Sequence, residues 1–419
     1  MTQALSRQTV LSLAPRGWRD WFQTLALAVL LTVFYLSGSS WIRMDARLMR
    51  YSFLIGLTAI TVLLYLARPW PVVPRASARI IVAGASFIIV CFVGAVFSQE
   101  RWDSFQRAGT FLLLIVFGIV WARVNAARRT GLCLYWGAAA FSVVCCVLGI
   151  LGAEQSERTA DRLTVLGTNA NWAGGMFGLA VIVFLLGFLA SRSKPWRVGL
   201  GIGCALAAVL LVRTGSRTSM LACLLALATT AVVVKKLRRK LAIIVSVGFL
   251  GTAVLWLFGE YFDRTMDAAN NLLLRTDASG DITSGRLSSL KDASWDGFLR
   301  SPLVGAGLGG WGMEGAAGEL GYVTLLGLTG VLGVLTLCTW MFLVWRKLWL
   351  AFREQAGALS PASVAVVTAM TLLAYFAFLN GGEGYVVGTG NAVTPLMWTI
   401  GAYASTLDTP SSLPSRVRR

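Results

Sequence analysis

Histidine is absent from all 419 residues. That gap removes Ser-His-Asp triads, Cys-His dyads, HExxH zinc sites and every histidine general base. Charge is scarce too: Asp, Glu, Lys and Arg make up 13% of the chain, where ordinary domains carry about a quarter. Acids are the scarcer sign, 19 against 37 Lys and Arg, for a formal net charge of +18. The seven cysteines (Cys91, Cys133, Cys145, Cys146, Cys204, Cys223 and Cys338) all lie in or beside apolar runs. There they behave as small hydrophobes, and neither disulfides nor a metal is expected. No internal repeat, low-complexity tract or soluble domain is visible.

What is present is apolar: 56% hydrophobic residues, with a mean hydropathy of +0.70. One soluble core does not hide that much apolar surface, so the chain reads as an integral membrane protein. A helix needs roughly 20 apolar residues to cross a bilayer. Twelve stretches qualify, near 21–37, 51–67, 80–97, 104–122, 131–152, 172–190, 198–212, 218–234, 241–259, 322–345, 362–380 and 391–406. The predicted fold is an all-α polytopic membrane protein of about twelve spans, residues 1–419 forming a single transmembrane domain. The first span follows Arg7, Arg16 and Arg19 without a clear cleavage pattern and is expected to stay as an anchor.

Orientation follows from the charges. With the N-terminus inside, 23 of the 37 Lys and Arg fall on inner segments and 16 of the 19 acids on outer ones. The inner side is then +20 and the outer side −2, which supports an N-in, C-in topology. Membrane orientation thus accounts for the basic excess, and no nucleic-acid partner is needed. Trp18, Trp21, Trp41, Trp70, Trp102, Trp121, Trp172, Trp196, Trp345 and Trp349 fall at predicted span ends, as an aromatic belt would.

The one long polar interruption is the outer loop 260–320 between spans 9 and 10. It is too small for its own core but long enough for two or three short helices on the membrane face. Leu287, Leu290, Ala293, Trp295 and Phe298 have helical spacing and the run ends at Pro302. The loop carries Arg286, Lys291 and Arg300 beside Asp292, Asp296, Glu314 and Glu319, so it offers both an anion grip and a carboxylate. Between spans 7 and 8, LLVRTGSRTSML sets Arg213 and Arg217 four residues apart on the outer face. Gly215 and Ser216 add backbone N–H groups at a helix start, where a phosphate is favoured. The bland alternative is that both arginines snorkel to headgroups.

That turn resembles the Ser-Arg signature of the O-antigen ligase/polymerase superfamily of bacterial inner membranes. Arg286 with Gly297 is similar to the arginine-glycine pattern of the polymerases, and Glu319-Leu320, nine residues and Gly330-x-x-Gly333 has the spacing of the ligase signature. RLTVLGTNANWAG (162–174) is similar to the superfamily's arginine and asparagine turn ahead of a span. The matches run in order over residues 160–335. Where the ligase signature has histidine, this chain has Glu319. The resemblance implies a GT-C-like, metal-independent glycosyltransferase without cofactor, acting on a polyprenyl-diphosphate-linked oligosaccharide at the periplasmic face of the inner membrane. Its implied partners are the lipid bilayer and a chain-length regulator. The missing histidine favours a polymerase of O-antigen, capsule or exopolysaccharide units over a ligase onto lipid A core.

In that reading Glu319 is the catalytic base, ionised at neutral pH and able to accept a hydroxyl proton. Glu314 and Glu383 are rival bases. Arg217 and Arg286, then Arg213, meet the diphosphate in bidentate fashion, with Arg162 and Asn171 behind. A small-anion transporter is the alternative from another class. It should show charged or broken helices at the midplane, whereas nearly all charges here lie at span ends. Gly305-x-Gly307-x-x-Gly310 fits a dinucleotide fingerprint but follows no strand, so turn chemistry is the expected reason for it. Asp277/Asp281 and Asp292/Asp296 lack a ligand-dense loop for calcium, and the absence of Asp-x-Asp argues against a metal-bound nucleotide-sugar donor. Glycines in spans 6, 7 and 10 are expected to serve helix packing.

Overall fold

The computed structural model describes residues 17–37, 46–67, 75–156, 159–235, 238–240, 242–243, 295–309, 321–355, 363–382 and 391–407. In chain order these form α1 (Trp18–Leu36), α2 (Ala46–Leu66), α3 (Arg75–Phe97), α4 (Arg101–Arg123) and α5 (Ala127–Leu151). A hairpin of β1 (Ala153–Ser156) and β2 (Thr159–Val165) follows, then α6 (Ala170–Ala190), α7 (Lys194–Arg213) and α8 (Arg217–Val233). The chain continues with a short α9 (Trp295–Arg300), then α10 (Gly321–Glu354), α11 (Val364–Gly382) and α12 (Val393–Thr406).

Eight of the described helices, α2 to α7, α10 and α11, are long and apolar enough to cross a membrane, and the protein is an all-α polytopic membrane protein. Helices α1, α8 and α12, of 19, 17 and 14 residues, coincide with three more predicted spans. Apart from residues 242–243, the predicted span 241–259 lies outside the described residues. The end of the bundle that carries β1 and β2 is called the hairpin face below, and the opposite end the basic face.

Burial sorts the helices into layers. The apolar windows of α6 and α11 are 89% and 83% buried, against 22% for α2 and α7. A helix that is apolar all round belongs in the middle, so α6 and α11 form the axis while α2 and α7 keep their apolar sides for lipid. Buried hydroxyls in the spans mostly bond back to the preceding turn, as Thr58 does to Leu54 O, Thr329 to Leu325 O and Thr399 to Pro395 O. A few cross between helices and fix their register: Thr230 with Thr371 at 2.6 Å, and Tyr375 Oη donating to Gly175 O at 2.9 Å. Glycines let helices close on large rings: a Cβ at Gly84 would stand 3.2 Å from the Trp340 ring, and one at Gly401 would run into it.

Helix α10 is not continuous. Gly330 sits at φ 63° and ψ −173°, which breaks the hydrogen-bond ladder inside the span. The segment 301–309, just after α9, fills the break from the side. Ala306 N donates to Gly327 O (2.9 Å) and Gly307 N to Leu328 O (3.0 Å), while Val331 N donates to Pro302 O (2.9 Å) and Leu332 N to Leu303 O (3.1 Å). Both cut ends of the ladder are thereby satisfied by backbone, as non-helical chain at membrane depth requires. Such closeness leaves no room for side chains. Gly305 and Gly307 have φ of +72° and +86°, and a Cβ on Gly305 or Gly330 would run into the opposing backbone. A Cβ on Gly94 of α3 would lie 2.7 Å from Val304 O. Ser104 anchors the far end of the segment, accepting from Gly309 N at 2.7 Å and donating to Ser98 Oγ at 2.8 Å.

Three expectations change. The glycine expected to aid packing in span 10 breaks the helix instead, because its left-handed φ suits glycine alone. Residues 305–309 of the loop are buried among α3, α4 and α10 rather than laid on the membrane face, since the amide groups of Ala306 and Gly307 pair with a severed helix. Trp121 is fully buried, not part of a belt. Its Nε1 donates to Gln23 O at 2.8 Å and Gln23 Nε2 donates back to Trp121 O. Beside them Asn125 Nδ2 donates to Asp20 Oδ1 and Gln23 Oε1, both at 2.9 Å, tying α1 to the α4–α5 turn. Trp18, Trp21, Trp102 and Trp196 are exposed at helix ends as expected.

The break makes opposite predictions for two glycines. Gly330→Ala forces an alanine into left-handed backbone against Leu303 and is expected to cost about 2 kcal/mol or more. At Gly199 in α7 a Cβ meets nothing within 4 Å, and alanine there should be neutral or stabilising by up to ~1 kcal/mol. Thermal unfolding of the two variants in detergent, read against the parent, checks both.

Candidate functional site

On the hairpin face two helix starts are held side by side. The first is that of α6. The hairpin pairs Ala153 with Val165, Glu154 with Thr164 and Gln155 with Leu163, and the alternating Leu163 and Val165 point inward and are buried. Leu166 (φ 53°) and Gly167 (φ 67°) then reverse the chain in left-handed backbone. For a leucine this costs about 1–2 kcal/mol, offset by its burial over Gly152 and by Leu166 N donating to Gly152 O at 3.0 Å. The reversal delivers Thr168, whose hydroxyl donates to Val165 O (2.7 Å), and Asn169, whose Oδ1 caps α6 by accepting from Asn171 N at 2.8 Å. Asn171 stands half-exposed on the first turn.

The second start is that of α8. Thr214 ends α7 by donating to Leu211 O at 2.6 Å, Gly215 turns at φ 61°, and Ser216 caps α8. Ser216 Oγ accepts from Ser219 N at 3.4 Å and donates to Ser219 Oγ at 2.8 Å. Thr214, Ser216 and Ser219 are all buried. What buries them is α6: a Cβ on Gly174 would lie 2.5 Å from Ser216 Cβ and 2.9 Å from Thr214 Oγ1. Only a glycine there lets the turn sit against the first turns of α6. Arg213 is left exposed and Arg217 half-buried at the rim.

Neither helix has an acidic residue in its first turn, and each N-terminus carries about half a positive charge. The chain from 162 to 259 holds no Asp or Glu at all. Two helix dipoles, Arg213, Arg217 and the Asn171 amide therefore lie on one face with no carboxylate from their own segment, which is an anion-binding arrangement. Helix α11 braces it through Tyr375 on Gly175, and Tyr322 Oη, at the start of α10, donates to Ala377 O at 2.8 Å. Asn391, buried, opens α12 by accepting from Thr394 N at 3.1 Å.

Of the residues expected in the site, Arg213, Arg217 and Asn171 come together on this face. Arg162 lies on β2, its side chain outside the described set. Arg286, Glu314, Glu319 and Glu383 fall outside the described residues. Thr214, Ser219, Gly174 and Tyr375 were not singled out as site residues. A glycine ahead of an apolar run and a buried tyrosine carry no sequence signal of their own, because their role is contact across 40 to 200 residues. Among the described residues no group of three or more His, Cys, Asp or Glu could hold a metal ion.

Residues 202–322 match the family model of O-antigen ligase. The match runs from α7 through the Arg213–Arg217 turn to the start of α10 and takes in Arg286 and Glu319. It supports the O-antigen ligase/polymerase superfamily and a role in lipid-linked glycan processing for polysaccharide or lipopolysaccharide biosynthesis, common to polymerase and ligase alike. Comparison with curated proteins gives no match.

The seating of the turn is testable apart from any activity. Ser216→Ala removes the α8 cap and should cost ~1 kcal/mol. Gly174→Val should cost more, since Ser216 and Thr214 must move. Thermal unfolding orders the two variants, and equal midpoints would contradict the packing described.

Proposed function

We propose that the protein polymerises polyprenyl-diphosphate-linked oligosaccharide repeat units at the periplasmic face of the inner membrane. The observation that carries the reading is the pairing of the α6 and α8 N-termini through Gly174 and Ser216, with Arg213 and Arg217 at the rim. A lipid-linked diphosphate presents its charge at the depth of such helix ends, while its chain stays in the bilayer. In the reaction, a sugar hydroxyl of the acceptor unit attacks the anomeric carbon of the donor glycan. Its proton passes to Glu319, the anomeric C–O bond to the diphosphate breaks, and the polyprenyl diphosphate leaves with the electron pair. Arg217 and Arg286, seconded by Arg213, meet the charge that develops on the leaving group. Arg162 and Asn171 stand behind them as secondary substrate contacts, and Glu383 is a rival base.

Glutamate at the position of the ligase histidine supports polymerase, because the ligase signature lacks its own histidine here and no other histidine occurs in the chain. The discontinuity of α10 does not favour transport. Broken helices in transporters leave half-helix ends free for ions, whereas here residues 302–307 occupy them. The ligase reading is favoured by the description of the matched family model.

Arg217→Lys, Arg286→Lys and Glu319→Gln are each expected to lower polymer yield on the order of 100-fold. Complementation of a deletion strain, with surface polysaccharide resolved by length, reads the outcome. Loss of a polymerase leaves single capped units, and loss of a ligase leaves none. Full complementation by Glu319→Gln would remove that residue from the chemistry.

A further inference from the structure

The basic face holds a feature that glycan transfer leaves unused. At the end of α6 and the start of α7 the chain reads Ser191-Arg-Ser-Lys-Pro-Trp-Arg197, and residues 192–199 are all exposed. The Trp196 indole, 56% exposed, packs edge-on against Trp136 of α5 with centroids 5.2 Å apart. The Arg197 guanidinium is held 5.1 Å over the Phe188 ring of α6. Exposed Arg128 and Arg129 flank this group from the start of α5. Five cations thus border a fixed pair of indoles where α5, α6 and α7 meet. The segments 104–153 and 162–259 carry no carboxylate, so the acid nearest the start of α5 is the buried Asp20 of α1, which lies beside Cys133 as Arg129 does; α5 and α7 begin without a side-chain cap or a first-turn acid.

Charge orientation alone would be met by mobile cations anywhere on this side. Here they are placed. Arg197 is stacked on Phe188, Pro195 sets the first turn of α7, and Val198 and Ile202, four residues apart, form an exposed apolar stripe on the side of α7 turned away from Trp196. A headgroup phosphate at the cations lies beside indoles at the boundary where amphipathic rings prefer to sit, and its acyl chains reach the exposed Val198–Ile202 stripe by passing round α7. We propose that the ends of α5, α6 and α7 on the basic face form a binding site for an anionic phospholipid of the inner leaflet. Arg192, Lys194 and Arg197 grip its headgroup beside Trp136 and Trp196, and Arg128 and Arg129 close the rim. A polybasic juxtamembrane cluster is attracted to an anionic leaflet.

The test uses the full chain purified in detergent. Phosphatidylglycerol and phosphatidylcholine are titrated in turn, with retained lipid counted by native mass spectrometry and the thermal midpoint followed. R192Q/K194Q/R197Q is compared with K235Q/R238Q/R239Q, which removes three charges from another part of the same face. The proposal expects the parent and the second variant to retain phosphatidylglycerol over phosphatidylcholine, and the first variant to lose at least ~tenfold in affinity. The single variants Arg192→Gln and Trp196→Ala should each weaken retention by a smaller factor, which keeps the test decisive if the triple variant is unstable. Equal loss in both triple variants would reduce the effect to diffuse charge and overturn the site. So would equal retention of phosphatidylcholine, or displacement of the lipid by millimolar inorganic phosphate, which would assign the cations to a soluble anion.

Discussion

The hairpin face rests on four backbone hydrogen bonds between residues 302–307 and the severed ladder of α10. Amide groups near the membrane core have no water to fall back on, so a helix broken at Gly330 persists only if another backbone supplies the missing partners. The glycines at 305, 307 and 330 and at 94 in α3 follow from that demand, because each lies where a Cβ would meet backbone or a buried serine. Helix α9 and the segment behind it are fixed to α3, α4 and α10 in consequence, and the residues after Gly309 start from an anchored point on Ser104.

The anion-binding arrangement is built by a second close approach of the same kind. Gly174 admits the Thr214–Ser216 turn, and the buried hydroxyls of Thr214, Ser216 and Ser219 satisfy the turn from within. The arginines stand at the rim of the turn, Arg213 exposed and Arg217 half-buried. The absence of acids from 162 to 259 acts at both ends of these helices. It leaves the α6 and α8 starts positive on the hairpin face, and the α6–α7 connection positive on the basic face. A composition first read as orientation in the membrane also supplies the electrostatics of two distinct surfaces.

Most of the helical framework was legible, because a run of about 20 apolar residues has few alternatives in a bilayer. The Arg213–Arg217 turn was legible for a related reason: two arginines and a Gly-Ser pair interrupt apolar sequence without an acid to balance them. The hairpin at 153–165 was not, although Leu163-Thr164-Val165 alternates as a strand should, since three residues of alternation are a weak signal. Trp121 was misplaced because a tryptophan at a span end looks the same whether its N–H meets water or the carbonyl of Gln23. The repair of α10 was invisible because glycine announces freedom of backbone without naming what approaches it. The Gly305-x-Gly307 pattern was assigned to a turn, and the turn is real, but its partner lies more than 20 residues further on.

That separation has a bearing on how the protein is made. Residues 302–307 leave the ribosome before Gly327 to Leu332, so the carbonyl and amide groups they will bind emerge after them. Until those groups arrive, the polar backbone of 302–307 has no partner in α10. Docking waits for the arrival of α10, which comes with its ladder already cut by Gly330. The order of the chain thus sets an order of pairing: residues 302–307 close backward onto a helix that follows them, and the break in α10 is repaired only then.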